Sequence, residues 1–189
     1  VLGSISLNNR LIFDISFLSH LPNMVLTMPK DSSEAKNLLD FALTYDGPVA
    51  IRYPKGTTKV MPVTNEEIKL GSWVEELPIS EVNIITYGEQ VDVFKERLIN
   101  QGVGLINARF IKPLDYNILK ALRGKRVLVV EEVIRYGSLA SLIMDAIFTN
   151  DLKINLESHA INDVYLDSGT NDELRKELGI DVDSILKKL

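Results

Sequence analysis

The sequence has no cysteine, and its 189 residues include only two histidines and one tryptophan. Without cysteine there is no disulfide, no thiolate nucleophile and no thiolate metal site, and a reducing cytoplasm is the expected location. His20 and His159 are the only candidates for imidazole acid–base chemistry. No run of about 18 apolar residues occurs, so no membrane-spanning helix is expected. Residues 1–10 have no basic stretch leading into a long apolar one, so a signal peptide is not supported. Neither sign of charge dominates: 21 basic residues face 26 acidic ones, a formal charge of −5. Such a mildly acidic chain argues against nucleic acid and membrane as partners, and leaves small anionic substrates open. What is present is an ordinary globular composition, 46% hydrophobic and 25% charged, which excludes disorder and low-complexity arrays.

The chain reads in two unequal pieces. In residues 1–56 an apolar start, Leu11 to Leu21, leads to a short strand pattern, Met24 to Met28. Asp31 is placed to cap a helix, with Glu34 three residues on to reach back. Ala35, Leu38, Leu39 and Ala42 follow at the spacing of an amphipathic helix facing a core. Asp46-Gly47-Pro48 stops that helix, and Val49 to Tyr53 reads as the next strand. Strand, helix and strand joined so tightly predict a βαβ unit with parallel strands. Roughly 50 residues bury little core alone, so this piece is expected to be an incomplete layer with an exposed apolar face.

Residues 57–80 read as a linker, with Pro62, Gly71 and Pro78 among charges and little periodicity. Leu70 to Glu75 is a candidate edge strand, and Trp73 is expected to pack at the junction. From Glu81 onward the pattern lays out a closed, mainly parallel α/β domain. Its central strands are expected to carry Ile84, Ile85, Leu105, Ile106, Val127, Leu128 and Val129. Val91, Phe94 and Leu98 mark one helix, and Leu139, Leu142, Ile143, Ala146 and Ile147 another. Pro113 is expected in the first turn of a third helix, where its missing N–H costs nothing. Ile154 to Leu156 forms the last strand pattern, and Thr170 with Glu173 a second capping box.

Few residues announce chemistry. No phosphate-cradling glycine motif, nucleophile elbow or H-E-x-x-H occurs. Tyr87-Gly88-Glu89-Gln90 follows a strand and opens a helix, where backbone N–H groups hold anions; an ordinary tight turn is the competing reading. Glu131-Glu132 is placed just past a buried strand, at the carboxyl end where open α/β sheets bind ligands. Adjacent carboxylates point apart, which argues against a joint role. His20 and His159 read as structural imidazoles. Lys55, at the end of a strand and beside Gly56, is placed to meet a phosphate, with a solvated lysine as the alternative.

Four segments of the first piece carry a resemblance: Phe13-Asp14-Ile15-Ser16-Phe17-Leu18, Leu21-Pro22-Asn23-Met24-Val25, Met28-Pro29-Lys30-Asp31 and Gly47 through Lys55-Gly56. In the second piece, Thr86-Tyr87-Gly88, Asn107 through Asp115, Val130-Glu131-Glu132 and Asp163 with Gly169-Thr170 continue it in order. Together these resemble the 1-deoxy-D-xylulose-5-phosphate synthases, thiamine-diphosphate enzymes of the transketolase superfamily. The resemblance implies that residues 1–56 are the end of a pyrimidine-binding domain and 81–189 a transketolase C-terminal domain, joined by 57–80. It implies a longer enzyme of three domains, with thiamine diphosphate and Mg held by a part that this chain lacks. That enzyme joins pyruvate to glyceraldehyde 3-phosphate, and the cofactor carries the electron-sink chemistry. It further implies a homodimer, and a 189-residue chain that is inactive and cofactor-free alone.

Ahead of Phe13-Asp14 the family carries Gly-Ala-Asp-Gly-Pro-Thr-His-Gln-Gly. Gly3 keeps its place, but Ile5 stands for the aspartate and Asn9 for the histidine. Asn9 can hydrogen-bond but does not titrate. The family's later Gly-Gly-x-Gly turn becomes Gly137-Ser138-Leu139-Ala140. Lys55 stands where the family has an arginine for the substrate phosphate, keeping the charge and losing the bidentate fork. Three readings stay open: a fragment of such a synthase; a degenerate paralogue or separate C-terminal subunit acting as a scaffold, as in split transketolases and 2-oxoacid dehydrogenases; and a non-enzymatic α/β module.

Overall fold

The computed structural model describes residues 2–5, 11–54, 60–164 and 170–189. Two sheets organise them. In the first, β1 (Leu2–Ile5) lies beside β3 (Val49–Pro54), β3 beside β2 (Val25–Thr27), and β2 beside β7 (Phe110–Lys112). The first three strands are parallel, as the βαβ reading requires, and β7 runs antiparallel to β2. The crossover helix α2 (Ser32–Thr44) starts where expected, with the Asp31 side chain accepting from the Glu34 N–H. Glu34 reaches back one residue further than a capping box does, accepting from the Lys30 N–H. Leu38 is fully buried beneath this helix, but Leu39, expected in the core, is 45% exposed. The short sheet is too narrow to cover a stripe that wide.

The second sheet has the order β4 (Val74–Leu77), β6 (Gly104–Asn107), β5 (Val82–Thr86), β8 (Arg126–Ile134), β9 (Asn155–Ile161). All its pairings are parallel except β4 with β6. The seven residues expected in central strands are all fully buried. Helix α3 (Gln90–Leu98) buries Val91, Phe94 and Leu98, and α5 (Leu139–Thr149) buries Leu139, Ala140, Ile143 and Ala146. The second capping box forms at α6 (Asn171–Glu177), and a last helix, α7 (Val182–Leu186), follows it.

Two local expectations change. Pro113 precedes helix α4 (Tyr116–Ala121) instead of opening it, and follows a cis peptide bond. Asp115 is the cap, accepting from the Asn117 and Ile118 N–H groups. Strand β8 also runs on through Glu131 and Glu132 to Ile134. The two glutamates therefore lie within a strand, and the pleat sends their side chains to opposite faces.

The pieces are tied by a strand exchange. The segment Phe110–Lys112 leaves the second sheet to complete the first, and the Lys112 ammonium donates to the Ser19 and Leu21 carbonyls at the end of α1 (Asp14–Ser19). Trp73, 6% exposed, donates its indole N–H to the Phe110 carbonyl at 2.7 Å. One apolar cluster runs from Leu26, Leu38 and Ala50 through Trp73 and Phe110 to Val127, Leu139 and Ile143. The core thus crosses the junction.

Candidate functional site

Buried charges gather near the carboxyl ends of both sheets. Arg52 sits on β3 in a run of apolar neighbours and is 3% exposed. Its Nε donates to Asp14 Oδ2 at 2.8 Å, its Nη1 lies 3.5 Å from Met28 Sδ, and its guanidinium stacks 6.0 Å from the Tyr87 ring centroid. The fourth direction, Nη2, is buried without a partner among the described residues. Asp14 is itself buried at the first turn of α1.

On the facing side, the Tyr87 hydroxyl donates to Glu131 Oε2 at 3.1 Å. Glu131 also accepts from the Leu139 and Ala140 N–H groups at 2.9 Å each, at the start of α5. A carboxylate there satisfies orphan helix donors and meets the positive end of the helix. Burial pushes the Glu131 carboxyl above its ordinary range, opposed by these donors and the Ser138 side chain. Burial, then Glu131, push the Tyr87 phenol well above its ordinary value. This glutamate is held as a structural keystone.

Glu132 points the other way. It accepts from Arg175 Nε at 2.6 Å, while Arg175 Nη2 reaches Glu89 at 2.6 Å and Nη1 reaches Asp172 at 3.0 Å. Burial raises the Glu132 carboxyl, with Arg175 opposing. Burial works against the Arg175 charge, but Glu132 and Glu89 override it and raise the guanidinium. Arg175 therefore pins α6 to β8 and to the turn that opens α3.

That turn, read as an ordinary tight turn with an anion cradle as the alternative, is filled from the other sheet. A Cβ on Gly88, whose φ is +67°, would lie 2.5 Å from Met28 Cε. Its residue Glu89 is committed to Arg175, so the turn serves packing. Gly137 behaves alike at the start of α5: with φ +74°, a Cβ would lie 2.7 Å from Ser16 Oγ and 3.0 Å from Ser16 Cα. These two glycines let the second piece dock on the first.

A second polar cluster lies at the start of α2. Glu34 accepts from Asn107 Nδ2 at 3.0 Å and lies 3.7 Å from Arg109 Nη1, and burial raises its carboxyl. Arg109 also pairs with Glu66 at 2.9 Å. Lys30, Glu34, Glu66 and Glu76 line a cleft of about 250 Å³ there. His20 is exposed at the end of α1, and His159 on β9 lies beside Glu157 and Lys188, with burial lowering its pKa.

Lys55 and Asn9 lie outside the described residues, as does Gly169. Ile5 is the last residue of β1, in register with Pro54. Among the described residues no group of three or more acidic, histidine or cysteine side chains is placed to hold a metal ion. The described side chains do not by themselves fit a diphosphate–Mg site. Sequence reading missed Asp14, Arg52 and Arg175; the available signal was a lone arginine inside a strand of apolar residues, which stays buried only when paired.

A crossing core, a mainly parallel second sheet and a parallel βαβ layer define a transketolase-type α/β chain. Residues 71–185 match the model of the transketolase C-terminal domain, and residues 9–60 that of the transketolase pyrimidine binding domain. The chain belongs to the transketolase C-terminal domain family. Its relatives include 1-deoxy-D-xylulose-5-phosphate synthases of Macrococcus caseolyticus, 35% identical over 94% of this chain, and Geobacillus thermodenitrificans, 35% identical over 89%. That of Bacillus licheniformis is 32% identical over 94%. The chain spans 30%, 29% and 30% of these three relatives, respectively. A solved split-gene transketolase, described as an inactive β4 tetramer, superposes with a TM-score of 0.81 at 20% identity, over 93% of this chain and 59% of that one. At that identity the likeness shows the fold alone.

Proposed function

We propose that this chain is the C-terminal part of a thiamine-diphosphate-dependent 1-deoxy-D-xylulose-5-phosphate synthase. The observation that carries this reading is 35% identity over 94% of the chain to a synthase of that name. In it, residues 1–56 end the pyrimidine-binding domain, 57–80 connect, and 81–189 form the C-terminal domain. The complete protein joins pyruvate to glyceraldehyde 3-phosphate in the cytoplasm, as a homodimer. Thiamine diphosphate supplies the electron sink when bound, and its diphosphate and Mg are held by domains outside this chain. The role left to these residues is to bind and orient. Lys55 holds the acceptor's phosphate as a point charge. Arg52, with Asp14, stiffens the strand that delivers it.

Calorimetry with thiamine diphosphate and Mg²⁺ tests the division of labour. The 189-residue chain is expected to bind neither at micromolar strength and to release no CO₂ from pyruvate. Micromolar, Mg²⁺-dependent binding would overturn it. A second reading, a separate C-terminal subunit acting as a scaffold, is favoured by Asn9, which stands where the family has a titratable histidine. A reading frame that continues upstream of Val1 into a diphosphate-binding domain supports the first reading and rejects the second.

A further inference from the structure

The cleft at the start of α2 is a polar site that takes no part in the thiamine reading. One wall is a face of α2 itself, where Ser33, Glu34 and Asn37 recur at helical spacing. Each of the three is at most 6% exposed. The connecting segment forms the opposite wall, tied down by its backbone. The Met61 N–H donates to Ser32 Oγ and the Thr64 N–H to Ser33 Oγ, both at 2.9 Å. Strand β4 contributes Val74 and Glu76. The space enclosed, about 250 Å³, is smaller than the roughly 300–1,000 Å³ of sites for drug-sized ligands. It suits a molecule of few heavy atoms.

Asn37 points to an occupant. It lines the cleft, is 4% exposed, and its side-chain amide has no hydrogen-bond partner among the described residues. Leaving a buried amide unpaired costs free energy, so such groups normally have a partner. An amide both donates and accepts, so Asn37 alone does not set the charge of what binds.

The carboxylates set it. Asp31 holds Lys30 at 2.6 Å, and Glu76 holds Lys95 at 2.6 Å. Arg109 pairs with Glu66 at 2.9 Å and lies 3.7 Å from Glu34. Four carboxylates thus share three cations, which leaves a negative charge unmatched. Two carboxylate oxygens also keep room for a donor. Glu76 Oε1 is 3.9 Å from Lys30 Nζ, beyond a hydrogen bond, and Glu66 meets Arg109 through Oε1 alone. Among the described residues no three such groups converge as a metal set does. Separated acceptors suit directed N–H donors, and Met61, Pro62 and Val74 add apolar wall for a methylene stem.

We propose that this cleft binds a short aliphatic amine as its ammonium ion. The ammonium donates to the Asn37 amide oxygen and to a free oxygen of Glu66 or Glu76, and the stem lies along Met61, Pro62 and Val74. Charge-assisted bonds of this kind are the strong ones. The occupant touches α2 in the first piece and β4 in the second, so binding fastens the two together. The inference is independent of the thiamine reading, which assigns none of these residues.

Isothermal titration of the 189-residue chain with 1,4-diaminobutane, against a sodium chloride blank of equal ionic strength, gives the first readout. One saturable site with a dissociation constant below about 1 mM is expected, and the unfolding midpoint should rise with amine concentration. 1,4-Butanediol keeps the stem and the hydrogen-bonding ends without the charge, and should bind at least about tenfold more weakly. Asn37→Leu should weaken diamine binding about tenfold or more, because a bond to a charged donor is lost. The same variant should unfold no earlier than the parent, since the amide has no partner within the chain to lose. If Asn37→Leu fails to fold, amide shifts of the unaltered chain decide alone: the diamine should move residues 30–37, 61–66 and 74–76 most. No saturation at about ten times that concentration overturns the proposal. So does a diol that binds as tightly as the diamine, an unaltered affinity in Asn37→Leu, or shifts centred elsewhere.

Discussion

Arg52 Nε and Asp14 Oδ2 lie 2.8 Å apart, both buried, and come from positions 38 residues apart in the chain. The pair ties α1 to β3 beneath the Tyr87 ring, so it fastens the first layer where the second piece rests on it. A buried ion pair contributes little beyond what apolar residues of equal volume would, but removing one partner strands the other charge.

Asp14→Asn is therefore expected to cost about 3–5 kcal/mol. The double change Asp14→Leu with Arg52→Met should recover most of that loss. Urea unfolding of the three chains measures both effects. A single variant as stable as the parent would mean that solvent already reaches the guanidinium.

Glu131 predicts a pH dependence. Its folded carboxyl is raised above the ordinary 4.5 by burial, so the folded state holds a proton that the unfolded state has released. Stability from this group is thus fully present below about 4.5 and is lost as pH rises toward the folded value. Glu131→Gln removes that titration. Across the same window its stability should fall less steeply than that of the parent, seen by urea unfolding at stepped pH. Parallel slopes for the two proteins would show that Glu131 does not carry the effect.

Gly137 and Gly102 separate backbone strain from docking. Both have positive φ, +74° and +69°, but a Cβ on Gly102 would touch nothing within 4 Å. Gly102→Ala should cost only the left-handed backbone, about 1–2 kcal/mol. Gly137→Ala adds a clash with the Ser16 backbone, worth a further 1–3 kcal/mol or so. Thermal unfolding should rank the two in that order, and Gly137→Ala should loosen amide protection in α1.

Lys55 belongs to the complete protein. Losing a charge-assisted bond to phosphate costs about 1.5–3 kcal/mol. Lys55→Ala should therefore raise the acceptor's KM roughly ten- to hundred-fold and leave pyruvate's nearly unchanged. Lys55→Arg should match or exceed the parent because the fork returns. Equal effects on both substrates would make Lys55 a structural residue.

Much of the architecture was legible because it is local. Val127 to Val130 is a β-branched, apolar run of the kind a strand buried on both faces carries. Thr170 with Glu173 forms its capping box from four consecutive residues. The site was less legible. Glu131 and Glu132 are adjacent and chemically identical, yet one caps α5 and the other holds Arg175. Composition does not distinguish them, since the strand's pleat and the helices on either face assign the roles.

The sequence by itself determined most of the strands and longer helices, the caps at Asp31 and Thr170, and which superfamily the chain resembles. Those properties depend on spacing and on residues within a few positions of each other. Only the tertiary structure decided that β7 crosses to the first sheet, that Gly88 and Gly137 are notches for Met28 and Ser16, and that Arg52 meets Asp14. Each joins residues far apart in the chain, through the direction of a side chain or the edge of a sheet. Periodicity records which face of an element is buried, but not what lies against it.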